Sequence, residues 1–257
     1  MPTEGFFISP MILSEGEKMD FNSWDIALSY EHPVDPRWVQ FLAELTGDHR
    51  WVGADVGGGP GKYARALNDV GYRFAVYDSA EAMVAEAWLN GVTAYQAPAE
   101  SLPLRDRSVS VVLMRTVVHH LQDISQAFAE GQRVLEEGGL IVVQTRSHKD
   151  LKGSPLHRLL GNEEIFSRDW QRWIEPQYLR ELLGDVGFND ILSLALTEHE
   201  GTETRERLIQ RLRLRGGDSL LQLLSDDEIE GIVSTVEASK DNLFPRKSQW
   251  TILVGQK

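Results

Sequence analysis

From about residue 36 onward, short apolar runs alternate with longer amphipathic ones, and this rhythm limits the fold more than any single motif. "WVGADV", "YRFAVY", "VTAYQ", "SVSVVLM" and "LIVVQT" read as strands. They are continuously apolar rather than alternating, the pattern a strand needs when helices cover both faces of its sheet. Between them lie helical stretches. "DPRWVQFLAELTG" has Asp35 as a cap, Pro36 at the first helical position and Gly47 as a stop. Further helices are expected from Gly61 to Val70, from Ser79 to about Leu89, and from Asp123 to Glu136, where Gly138-Gly139 ends the pattern. Strand and helix in alternation predict an α/β chain built on a doubly wound, mainly parallel sheet.

Three segments fall outside the rhythm. Residues 1–35 are rich in aromatics (Phe6, Phe7, Phe21, Trp24, Tyr30); a second segment spans about 147–175; a third, about 200–246, holds two helices between "FNDILSLAL" and "SQWTILVG". No Pro/Gly/Ser-rich linker divides them from the rest. They are therefore read as additions to one core, residues 36–257, with 1–35 as an N-terminal lid and the other two as a helical cap.

Composition excludes several classes. No run approaches the roughly 20 apolar residues that span a bilayer. The N-terminal "GFFISPMIL" is broken by Pro10 and lacks a basic flank, so it does not read as a signal peptide. A cytoplasmic protein with no membrane partner is expected. Cysteine is absent, which removes disulfides, thiolate metal sites and a Cys nucleophile. His199 has no second ligand at metal spacing, so no metal is expected. A net charge of −13 repels polyanions and argues against a nucleic-acid partner.

The loop from Gly57 to Gly61 carries the functional question. A phosphate-binding P-loop requires G-x-x-x-x-G-K-[ST], but Val56 and Tyr63 stand at its first glycine and hydroxyl positions. The dinucleotide fingerprint G-x-G-x-x-G fits Gly57 and Gly59, yet its third position holds Lys62 and Gly61 comes one residue early. The pattern that fits is D-x-G-x-G-x-G, from Asp55 through Gly57, Gly59 and Gly61. With "VYDSAEAM", "PAESLPLRDRSVSVVLMRTVVHHL", "RVLEEGGLIVVQT" and "YLRELLGDVGF" following in register over about residues 50–190, the chain resembles the class I S-adenosylmethionine-dependent methyltransferases of small-molecule type.

That resemblance implies a seven-stranded Rossmann-like sheet. It also implies S-adenosyl-L-methionine as methyl donor, S-adenosyl-L-homocysteine as product, and transfer to O, N or C of a small-molecule acceptor. An RNA or protein methyltransferase and a non-catalytic donor-binding module are the alternatives. Glycines at 57, 59 and 61 let backbone approach a ligand at the carboxyl edge of the first strand. Asp78, with Ser79 beside it, is placed to accept from the ribose hydroxyls, or else caps the following helix. By resemblance Met83 lies against the adenine and Ala99-Glu100 line its edge, although Pro98 stands where relatives often carry an acidic contact. Asp55 either meets the donor's ammonium or stabilises the loop, and Arg115 either faces the donor or lies on the surface.

His119 and His120 are candidates for removing a proton from the acceptor, since a free histidine titrates near pH 6.5. Adjacent residues point in different directions, so one of the pair is expected to reach the site, with structural roles for both and catalysis by positioning as the alternative. Trp24, Tyr30, Trp170 and Trp173 either wall the acceptor pocket or pack the cap onto the core. In "RERLIQRLRLR", Leu208, Ile209 and Leu212 share a helical face while the arginines scatter. This reads as a solvated amphipathic helix, with binding of an anionic acceptor as the alternative.

Overall fold

In the computed structural model, which describes residues 21–22, 34–47, 51–160, 163–216 and 219–257, helix α1 (Pro36–Thr46) begins as read. The Asp35 side chain accepts from the Arg37 N–H at 2.9 Å, and Gly47 ends the helix at φ +67°. The alternation follows: β1 (Val52–Val56), α2 (Lys62–Asp69), β2 (Arg73–Asp78), α3 (Glu81–Leu89), β3 (Ala94–Gln96), β4 (Val109–Arg115), α4 (Ile124–Val134) and β5 (Leu135–Thr145). Four helices come next: α5 (His148–Lys152), α6 (Pro155–Leu160), α7 (Glu163–Arg172) and α8 (Pro176–Asp185). The chain closes with β6 (Asn189–Thr204), α9 (Arg205–Arg213), α10 (Asp226–Ala238) and β7 (Leu243–Gln256).

The seven strands form one sheet in the order β3-β2-β1-β4-β5-β7-β6. All neighbours among β1 to β5 are parallel, and β7 runs antiparallel to both β5 and β6. The winding reverses between β1 and β4, which opens a crevice at their carboxyl ends. The strands are continuously apolar because each feeds two cores. On β4, Val112 and Met114 pack on one side with Phe128, Leu179 and Leu183, while Val111 and Leu113 pack on the other with Trp38, Leu42 and Leu67.

Two boundaries differ from the sequence reading. Helix α4 stops at Val134 rather than Glu136, and β5 starts at once. The pairing jumps from Val109–Leu135 to Val111–Leu140, so the intervening Glu136–Gly139 bulge out of register, with Gly138 at φ +79°. Strands β6 and β7 are also longer than their apolar runs, 16 and 14 residues, because they continue beyond the core as a ribbon. Helices α9 and α10 lie between the two strands of that ribbon. Ile165 of α7 joins Leu208, Leu212, Ile229, Ile232 and Val236 of α9 and α10 in a separate small core, so the two insertions form one cap.

Most of the 1–35 lid segment, including Trp24 and Tyr30, lies outside the described residues. Where it is described, the Asn22 side chain accepts from the Glu81 N–H at 2.8 Å and Phe21 packs on Met83. Among the described residues no helix is long and apolar enough to cross a membrane.

Candidate functional site

The loop between β1 and α2 turns on Gly57, Gly59 and Gly61, at φ +66°, +54° and +74°. A Cβ on Gly57 would lie 2.2 Å from Val117 Cγ2, so only glycine fits there. The N–H groups of these three glycines are already engaged. Gly57 donates to the Tyr77 carbonyl at 2.7 Å and Gly61 to the Gly58 carbonyl at 3.1 Å. The N–H of Gly59 donates to Asp78 Oδ2 at 2.9 Å. A phosphate cradle needs such donors aimed at the ligand. Here a carboxylate occupies one of them, so the loop is built against an anion and in favour of a cationic or hydroxyl-bearing ligand.

Asp78 also receives the Ala80 N–H on Oδ1 at 2.9 Å, so it ties the loop to the start of α3 while facing the crevice. Burial raises its pKa, and the N–H groups of Ala80 and Gly59 pull it back. Asp55 is fully buried beneath the loop, where a Cβ on Gly58 would meet its Oδ2 at 2.6 Å. Burial raises its pKa to about 7; Arg115 opposes the rise and Asp78 adds to it.

A cavity of about 650 Å³ opens above this loop. That lies within the roughly 300–1,000 Å³ usual for small-molecule sites. Its first half is lined by Asp55, Gly57, Gly59, Asp78, Ser79 and Met83, with Ala97 and Ala99 alongside. Three expected residues do not line it. Gly61 is packed behind the loop, where an added Cβ would crowd Ala87, Val76 and Val92. The Glu100 carboxylate accepts from the Gln122 and Asp123 N–H groups at 3.2 and 3.3 Å, serving the start of α4. Trp170 stacks on His148 at 3.7 Å between ring centroids, outside the cavity.

Past β4, Val118–His120 form a single tight turn that sets both histidines against the cavity. The His119 ring lies 3.9 Å from that of His120 and 3.9 Å from Trp173, and both its nitrogens are buried without a hydrogen-bond partner among the described residues. His120 meets Phe21 edge-on at 5.0 Å. Desolvation lowers the His120 pKa to about 3 and takes His119 well below its usual value; the Arg172 charge adds to both. The pair is neutral in this state of the protein.

Arg115 is a strut in the cavity floor. Its Nε donates to Gln144 Oε1 at 2.7 Å, its Nη2 lies 3.3 Å from Glu198, and its guanidinium lies over the Tyr63 ring at 3.5 Å. Buried Glu198 also accepts from Trp250 Nε1 at 2.6 Å. Sequence reasoning passed over Tyr63, Gln144, Glu198 and Trp250, because α2, β5, β6 and β7 bring them together from distant positions.

The second half of the cavity belongs to the cap and the strand ends. Arg172 extends from α7 with its Nη2 donating to Ser219 Oγ at 2.6 Å and its Nη1 3.3 Å from Asp169. Buried Asp169 also accepts from Trp173 Nε1 at 3.1 Å and lies 2.8 Å from His157 Nε2. Positions 169, 172 and 173 share one helical face, so the spacing within "DWQRW" carried this signal. Arg146 lies over the Trp250 ring at 4.1 Å and reaches Ser248. Arg211 also lines the cavity and is paired in two contacts with Glu203, so one arginine of the amphipathic helix α9 is directed inward.

Residues 54–143 match the family model described as a methyltransferase domain. A protein of Mycolicibacterium smegmatis assigned as an S-adenosylmethionine-dependent methyltransferase is 34% identical over 145 residues, covering 54% of each chain. The chain thus spans about half the length of that relative. Among solved structures, a protein of Anabaena variabilis assigned to methyl transfer in an antibiotic biosynthesis pathway superposes with a TM-score of 0.74 at 20% identity, covering 91% of this chain and all of the other. The phosphoethanolamine N-methyltransferase 2 of Haemonchus contortus, solved with S-adenosyl-L-methionine, superposes with a TM-score of 0.55 at 18% identity, covering 92% and 56%.

Proposed function

We propose that this chain is a class I S-adenosylmethionine-dependent methyltransferase, a reading supported by the methyltransferase-domain match over residues 54–143 and by its methyltransferase relatives, and that it methylates O, N or C of a small-molecule acceptor held in the second half of the cavity. The observation that carries this reading is the carboxylate of Asp78 seated on the Gly59 N–H, where a phosphate-binding loop would keep its donors open. The residues present suit the donor. Asp55 and Asp78 offer negative charge and hydroxyl acceptors, while Met83, Ala97 and Ala99 offer a flat apolar slot. When bound, the donor supplies an electrophilic methyl group on a sulfonium whose departure leaves a neutral thioether.

With a neutral leaving group, the protein's task is alignment, exclusion of water and removal of the acceptor's proton. Arg115, braced by Gln144, Glu198 and Tyr63, gives the floor a fixed shape. The cap formed by α7, α9 and α10 screens the cavity from water. We assign proton acceptance to His120 and a packing role to His119, whose nitrogens are sealed between His120 and Trp173. A base with a pKa near 3 is weak, so this assignment requires the bound state to raise that value. A cavity roofed by the cap favours a small acceptor over RNA or protein.

Thermal-shift titration tests the reading. S-adenosyl-L-methionine and S-adenosyl-L-homocysteine should each raise the Tm, and NAD and NADP should not. Stabilisation by NAD alone would overturn it.

A further inference from the structure

The cavity carries charge unevenly. Its loop end sets Asp55 and Asp78 against Lys62 and Arg115, whereas the end formed by the tip of β5, α7, α9 and β7 is lined by Arg146, Arg172, Arg211, Arg246 and Lys247, with Asp169 paired to Arg172 behind them. The carboxylates lining that second end, Glu198 and Glu203, are engaged by Arg115 with Trp250 and by Arg211. Such a concentration of positive charge stands out in a chain of net charge −13. It costs folding energy through mutual repulsion and desolvation, and a ligand of opposite charge offsets that cost.

Two further observations point to a ligand. The Arg172 side chain lines the cavity although it is only 1% exposed, and its Nη1 and Nη2, bonded once each to Asp169 and Ser219, keep further N–H donors without a partner among the described residues. Buried guanidinium donors rarely go unpaired. The exposed Lys247 makes no ion pair among the described residues, although it lines the same cavity. Around these charges stand the rings of Trp173, Trp250 and His119.

Resting on the methyltransferase reading, we propose that the acceptor is an anionic small molecule, with an oxyanion (carboxylate or phosphate) held by Arg172 and Lys247 and a flat body against Trp173 and Trp250. A planar guanidinium fork suits an oxyanion, and a lysine adds a movable point charge. The arrangement sets a cationic donor and an anionic acceptor at opposite ends of one cavity. Their attraction draws the acceptor's nucleophile toward the methyl group. The same anion would screen the Arg172 charge that disfavours protonation of His120, so binding of the acceptor would itself strengthen the base.

The test uses the full chain saturated with S-adenosyl-L-homocysteine and titrated with benzoate, benzamide and inorganic phosphate, followed by calorimetry and tryptophan fluorescence. Benzoate should bind at least tenfold more tightly than neutral benzamide, and its affinity should fall as salt is raised. Lys247→Ala and Arg172→Gln should each weaken benzoate at least fivefold while the homocysteine affinity stays within twofold. The phosphate arm shows whether a carboxylate is required. Lys247→Ala, at an exposed position, keeps the test decisive if Arg172→Gln does not fold. Equal binding of benzoate and benzamide, no binding of benzoate or phosphate, or benzoate affinity unchanged in Lys247→Ala overturns the proposal. Failure of wild-type protein to bind S-adenosyl-L-homocysteine would instead defeat the methyltransferase reading itself.

Discussion

Asp78 Oδ2 accepts the Gly59 N–H at 2.9 Å, so the residue placed to meet the donor's ribose also holds the donor loop in shape. With the Ala80 N–H on its other oxygen, the carboxylate joins β2, the glycine loop and α3 at one point. Hydrogen bonds to charged groups contribute about 1.5–3 kcal/mol each. Asp78→Ala removes two such bonds but also the burial cost of the carboxylate, so it should lower stability by about 1–3 kcal/mol without any ligand and weaken S-adenosyl-L-homocysteine at least tenfold. Urea unfolding and calorimetry read the two effects separately. Loss of binding at unchanged stability would show that the carboxylate serves only the ligand.

Asp55 should make donor binding pH-dependent. Its pKa is about 7 in the protein, raised chiefly by burial. A cation bound above it favours the ionised form and lowers that pKa, so binding expels a proton in the window around pH 6 to 7. Affinity for S-adenosyl-L-methionine should rise with pH through that window and level off above it. Asp55→Asn should flatten the profile. Calorimetry at pH 6.5 in two buffers of different ionisation enthalpy measures the proton released; equal heats in both would contradict the coupling.

The histidine pair should show opposite behaviour on substitution. His119 spends two buried nitrogens on no partner, so His119→Phe should leave stability unchanged or raise it by up to ~1 kcal/mol, since an apolar ring needs no hydrogen bonds. His119→Ala, which leaves a void, should cost about 2–4 kcal/mol. His120→Ala should slow turnover by about 10²–10⁴ with donor affinity nearly intact. Single-turnover assays decide between the two. A slow His119→Phe and a fast His120→Ala would exchange the roles.

Burial of the neutral pair also shapes acid stability. Both histidines have folded pKa values below the ~6.5 of the unfolded chain, His120 at about 3. Between those values the unfolded chain binds more protons. Their contribution is therefore complete above about pH 6.5 and is lost as pH falls from there toward 3. The difference in urea midpoint between wild type and His119→Phe should grow in favour of the variant from pH 7 to pH 4; a constant difference would exclude the coupling.

The core was legible in the sequence because its signals are local. Asp35 caps α1 with its own side chain, and the runs around Val112 and Leu113 needed no knowledge of partners to read as buried strand. Glu136 and Glu137 misled because their α-helical pattern continues through a bulge that only pairing with β4 creates. The aromatic wall was half visible. Trp173 lines the cavity but Trp170, three residues earlier, turns instead to His148 and Lys152. Glu198 and Trp250 were invisible for another reason, since a ribbon register brings together residues whose separation along the chain carries no pattern.

Asp169 anchors the basic end of the cavity and should be the most sensitive position in the cap. It is buried with Arg172, His157 and the Trp173 indole around it; burial pushes its carboxyl up, but the His157 hydrogen bond and the Arg172 charge outweigh that and hold it below the usual carboxylate range. A carboxylate depressed in the folded state contributes stability that is present above about pH 4 and lost as pH falls through its folded value. Asp169→Ala removes the partner from three buried groups and should cost about 3–5 kcal/mol. Asp169→Asn keeps the shape and an acceptor for one donor, so it should cost less. The small apolar core of α7, α9 and α10 should loosen with the carboxylate, while β1 to β5 stay intact. Hydrogen exchange then distinguishes the outcomes: deprotection confined to the cap agrees with this account, whereas uniform deprotection of the sheet would mean that cap and core unfold as one unit.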